Sequence, residues 1–125
     1  MTMKRLLTAA ALGLSALAMN PVLAHGEAVA RHGGVVATSN DLDFELVGTA
    51  TGAVIYVEDH GKPLAPTGMT GKLTVLAGGQ KSEAALTVAG DRLEARGLKL
   101  APGARVVAAL TTPAKKAITV RFTVK

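Results

Sequence analysis

From Asp41 to Leu46 the chain alternates with a period of two: Leu42, Phe44 and Leu46 are apolar, while Asp41, Asp43 and Glu45 are acidic. That period belongs to an extended strand with one face on a core and the other in water. It returns at the C-terminal end, where Ile118, Val120, Phe122 and Val124 alternate with Thr119, Arg121, Thr123 and Lys125. Turn-forming residues stand at Asn40-Asp41, where the first segment starts, and between the two segments at 49–52, 59–63, Gly78-Gly79, Gly90-Asp91, Pro102-Gly103 and 113–116. The stretches they bound, 35–38, 53–57, 72–77, 81–88 and 105–111, are rich in apolar or β-branched residues, and a further short strand is expected at 92–96. Residues 63–70, with Pro63, Pro66 and Gly68, read as an irregular crossing segment or a short edge strand. No stretch after Ala24 keeps a helical period. The expected fold is an all-β sandwich of seven to nine strands, immunoglobulin-like or cupredoxin-like, with a closed barrel as the alternative. Its core should include Leu42, Phe44, Leu46, Ile55, Val75, Leu86, Val120 and Phe122.

The first 24 residues have the layout of a secretory signal peptide. Lys4 and Arg5 supply the positive start, and residues 6–18 form an uncharged run of 13. Asn20-Pro21 breaks a helix, and Val22-Leu23-Ala24 sets a cleavage site after Ala24. A cut after Ala18 is the second choice. The run is shorter than the roughly 17–25 residues of a spanning helix. The expected organisation is a signal peptide at 1–24 and one β-sandwich domain at 25–125. The leader holds two of the 14 basic residues and none of the nine acidic ones, so the remainder carries 12 against nine, a net +3.

Charge this mild, with one tyrosine, two phenylalanines and no tryptophan, argues against a single-strand nucleic-acid binder, which needs stacking aromatics beside a basic groove. The chain has no cysteine, so the exported domain must hold together by its core alone. These features fit the periplasm of a Gram-negative bacterium, with an extracellular destination as the alternative. Residues 68–72 lack the full spacing of a phosphate loop, since Leu73 follows Lys72. Ser15, Ser39 and Ser82 have no nucleophile-elbow context. Asp41, Asp43 and Glu45 are expected as the solvated face of one strand rather than as a paired-carboxylate site. Nothing in the sequence marks an enzyme.

Metal ligation is the chemistry the histidines suggest. A cut after Ala24 makes His25 the first residue, with a free α-amine and an imidazole on one residue that together close a six-membered chelate. Neutral imidazole suits copper and zinc, and the terminal amine gives up its proton to a metal near neutral pH. His32 follows seven residues later, and His60 with Asp59 lies in a turn. The candidate ligands are therefore His25, His32, His60 and Asp59, with Glu27 or Glu58 to fill the shell. His60 also fits an ordinary solvated turn residue, and His32 a surface position before Gly33-Gly34. Met69 is the one methionine after the leader, which argues against a thioether cluster for Cu(I).

Three segments in order, residues 32–36, 44–47 and 55–63, resemble small exported proteins associated with bacterial heavy-metal efflux systems. They are also similar to the N-terminal β-module of metal-efflux periplasmic adaptor subunits. The resemblance covers roughly residues 31–76 and implies a periplasmic β-domain concerned with copper, zinc, cobalt or cadmium, with His32, His60 and Asp59 at its motif positions. The adaptor's helical hairpin has no counterpart here, and only His25 stands upstream where such proteins are often histidine-rich. The functional expectation is a periplasmic accessory protein that buffers or delivers Cu(II) or Zn(II), with an efflux adaptor as a partner. The alternative is a non-enzymatic interaction domain that docks on an adaptor or envelope partner and binds no metal.

Overall fold

The computed structural model describes residues 28–125, so the expected signal peptide and His25 lie outside the described residues. Nine strands run in chain order: β1 (Val35–Ser39), β2 (Leu42–Gly48), β3 (Gly52–Asp59), β4 (Lys62–Pro63), β5 (Thr70–Ala77), β6 (Gln80–Ala89), β7 (Arg92–Arg96), β8 (Arg105–Thr111) and β9 (Ala117–Thr123). The described residues contain no helix. All pairings are antiparallel, in the order β1-β2-β3-β7-β6-β5-β8-β9, with β4 on β3.

The ten residues of β6 join two sheets. Its first part pairs with β5 from Gln80 to Leu86, and its last part pairs with β7 from Thr87 to Ala89. One sheet is thus β1-β2-β3-β7, and the other is β5-β8-β9, each with part of β6. Strands β5, β6 and β7 are successive hairpins, and β8 returns beside β5, which is a Greek key. At the open side the Ser39 hydroxyl donates to the Thr119 carbonyl at 3.0 Å, so β1 meets β9 and the sandwich is nearly closed as a barrel.

Turn chemistry sets the registers. Asn40 and Asp41 (φ 53° and 65°) carry the β1–β2 hairpin, and Gly78 and Gly79 (58° and 81°) the β5–β6 hairpin. Two consecutive positive φ values are the type I′ geometry that matches strand twist. His60 and Gly61 (53° and 82°) do the same between β3 and β4.

The period of two then delivers the core. Phe44, Leu46, Ile55 and Val57 face inward from one sheet, and Leu73, Val106, Leu110 and Val120 from the other, all at most 2% exposed. Of the eight residues expected inside, seven are buried, while Leu42 at its strand end is half-buried. Residues 63–70 give the two-residue β4 and then a crossing that buries Pro66 and Met69. Met69 packs into the core and is not a surface thioether.

Candidate functional site: a carboxylate-held histidine

The outer face of β2 departs from the alternation rule. Glu45 points away from the core yet is only 6% exposed, so the expectation that it is a solvated strand residue is wrong. Its cover is residues 31–34, which lie over the sheet and supply donors rather than apolar side chains. Glu45 Oε1 accepts from the Arg31 backbone N–H at 3.0 Å and from His32 Nδ1 at 2.9 Å. Oε2 accepts from the His32 and Gly34 backbone N–H groups, both at 2.8 Å. Burial works against the charge, but the His32 ring and then the Gly34, Arg31 and His32 N–H groups outweigh it, and the carboxyl is held below its ordinary value. Asp43 is half-buried and accepts from the Thr38 hydroxyl at 2.7 Å.

The glycines make this approach feasible. Gly34 passes so close to β2 that a Cβ there meets the Leu46 carbonyl oxygen and Val47 Cγ2. Gly33 takes φ +79°, a conformation that side chains disfavour.

His32 is fixed on two sides. Its ring stacks on Tyr56 with centroids 3.6 Å apart and planes 6° from parallel. Tyr56 is directly opposite Glu45 in the β2–β3 register, so one cross-strand pair supplies both the ring's platform and its hydrogen-bond acceptor. Arg92 on β7 donates from Nη1 to the Tyr56 hydroxyl at 3.1 Å, and its guanidinium lies 5.3 Å from the ring centroid, within cation–π range. Arg31 Nε pairs with Glu58 Oε2 at 2.7 Å and ties the same segment to β3. Beside these groups is a recess of about 10 Å³ lined by Val29, Val36, Asp43 and Glu58 among others, room for about one water molecule rather than for an organic substrate.

An ionised carboxylate only accepts hydrogen bonds, so His32 Nδ1 carries the proton. In the neutral ring the lone pair is then on Nε2, and none of the described residues engages it. The side chain is 41% exposed. Histidines that ligate metals through one nitrogen generally donate the other N–H to a carboxylate or carbonyl, which fixes the tautomer and raises the basicity of the ligand.

The other candidate ligands sit differently. His60 is 84% exposed on its hairpin, with Nδ1 2.6 Å from Asp59 Oδ1. It lies in the turn just past the end of β3, whose last residue, Asp59, is three residues beyond Tyr56, roughly 10 Å along the strand. The structure ties His32 and His60 to different carboxylates, and among the described residues no three His, Asp or Glu side chains are grouped to hold one ion. Glu58, a candidate for the shell, is paired with Arg31. His25 and Glu27 lie outside the described residues.

Sequence reasoning missed Glu45 as the organiser and Tyr56 as the platform. The available signal was His32 followed by two glycines, which lets backbone N–H groups approach a strand, together with the one tyrosine in the chain.

Fold and site together define an all-β sandwich that holds one histidine by a buried carboxylate and a tyrosine ring. Compared with protein-family models, with curated proteins and with solved structures, the chain finds no match.

Proposed function

We propose that this is an exported, periplasmic metal-binding accessory protein that takes up Cu(II) or Zn(II) through histidine nitrogen and buffers or delivers it near a heavy-metal efflux system. The observation that supports the reading is the Glu45–His32 pair, which engages Nδ1 of a ring stacked on Tyr56 and leaves Nε2 as the nitrogen that would take a metal. A rigid ligand loses little freedom when it binds, so even one such histidine is a better anchor than a mobile one. His25, with its α-amine once the leader is cut after Ala24, supplies the further nitrogens. His60 with Asp59 is a second, separate carboxylate–histidine pair at the surface.

The experiment is Cu(II) titration of the apo-protein in four forms: cleaved after Ala24, the same with one glycine added before His25, His25→Ala and His32→Ala. The extension turns the amine into an amide, and the two substitutions each remove a ring. Each change is expected to weaken binding at least tenfold, about 1.4 kcal/mol. Equal affinities for all four overturn the chelate and leave His60 as the one histidine candidate; if a His60→Ala variant then binds no differently, the metal-free interaction domain moves into first place.

A further inference from the structure

Charge is distributed unevenly over the two sheets. From residue 97 to the C-terminus there are six basic residues and no acidic one. The outer face of the β5-β8-β9 sheet carries Lys72, Lys81, Arg105 and Arg121, all exposed, against Glu83 alone. Glu83 is shared by Lys72 Nζ at 3.4 Å and Lys81 Nζ at 3.6 Å, which leaves the face with an excess of three positive charges.

The ladder brings these residues together. Leu76 on β5 is directly opposite Lys81 on β6 and Arg105 on β8, so an apolar side chain 44% exposed is flanked by two cations. Arg121 on β9 is opposite Val107 on the same face. The other outward positions are small, among them Thr74, Ala85, Ala109, Thr119 and Thr123.

We infer that this basic face is a docking surface for an anionic lipid bilayer. Charge complementarity gives the sign of the partner, and the shape and composition of the face give its kind. Protein hot spots are built from aromatic anchors in desolvated pockets, and both phenylalanines and the tyrosine lie elsewhere, with Phe122 turned into the core. Single-stranded nucleic acid needs the same aromatics for stacking. A bilayer asks for neither, because mobile headgroups adjust to dispersed cations. Leu76 between Lys81 and Arg105 is the apolar contact that enters the headgroup region while the cations stay at its surface. The inference does not depend on metal binding, since the histidine site is on the other sheet.

The test is flotation of the full chain with vesicles of about 30% phosphatidylglycerol in phosphatidylcholine and with pure phosphatidylcholine, in low salt. The readout is the excess partitioning onto the anionic vesicles, compared between parent and variants, so that the contribution of the N-terminal run and its Lys4 and Arg5 is common to all and cancels. Each cation near such a surface raises partitioning about fivefold, so Lys81→Glu, Arg105→Glu and Arg121→Glu together are expected to lower the excess at least a hundredfold. About 1 M salt, with a screening length of about 3 Å, should abolish it. Arg105→Gln with Arg121→Gln, a milder pair at exposed positions, should lower it at least tenfold and covers a failure of the triple variant to fold. No excess on the anionic vesicles, an excess unchanged in both variants, or binding to a polyglutamate chain with vesicles inert overturns the proposal, the last in favour of an acidic polypeptide.

Discussion

Substituting Glu45→Gln changes one atom of the clasp on residues 31–34. The glutamine oxygen can replace Oε1 and keep the bonds from Arg31 N–H and His32 Nδ1. The amide NH₂ then replaces Oε2 and sets donors against the His32 and Gly34 N–H groups. Hydrogen bonds to a charged acceptor are worth about 1.5–3 kcal/mol each, and because the segment is partly exposed, water recovers some of the loss. The expected destabilisation is about 2–3 kcal/mol, or roughly 10–20 °C in Tm for a domain of this size. Urea unfolding gives the free energy. Amide hydrogen exchange at Arg31, His32 and Gly34 separates local release of the segment from global unfolding. A stability change below about 0.5 kcal/mol, with unchanged exchange at those three amides, would refute the clasp.

Acid should act on the same carboxyl. Glu45 is held below its ordinary value by the bonds that fold the segment, so its contribution is complete above about pH 4.5 and is lost as pH falls through the depressed folded value; stability measured against pH should drop less steeply in Glu45→Gln than in the parent. Gly34→Ala places a Cβ against the Leu46 carbonyl and should expose the Arg31, His32 and Gly34 amides to exchange, while Gly33→Ala, strained by φ but open in space, should cost only about 1 kcal/mol in urea unfolding. Leu73→Ala removes a side chain with no exposed surface and should cost about 2–5 kcal/mol by the same assay. His60→Ala, at an exposed position whose partner is its own neighbour Asp59, should lower stability by less than about 1 kcal/mol.

The strands were legible because each is read from its own residues. The alternations at 42–46 and 118–124 and the paired positive-φ turns at Asn40-Asp41 and Gly78-Gly79 depend on local chemistry, and the two-sheet core follows from them. The misreading of Glu45 has an equally specific cause. Alternation marks the face away from the core, but whether that face meets water depends on what lies over it, and the cover here is backbone N–H from a segment with no periodicity of its own. The stack of His32 on Tyr56 joins residues 24 apart through the β2–β3 register, which no local pattern encodes. Arg92, the third member of that group, arrives from β7 only because β7 pairs with β3, a strand whose Tyr56 is 36 residues earlier in the chain.

The most direct test of the metal-binding account is nitrogen NMR of the histidine rings as Zn(II) is added to the apo-protein labelled with ¹⁵N-histidine. The account predicts that the His32 Nε2 resonance moves to the position of a metal-bound nitrogen, while Nδ1 stays protonated and hydrogen-bonded to Glu45. If no histidine nitrogen moves with a full equivalent of zinc present, or if His32 responds at Nδ1 with the Glu45 bond broken, the carboxylate-held ring is not the ligand proposed for it.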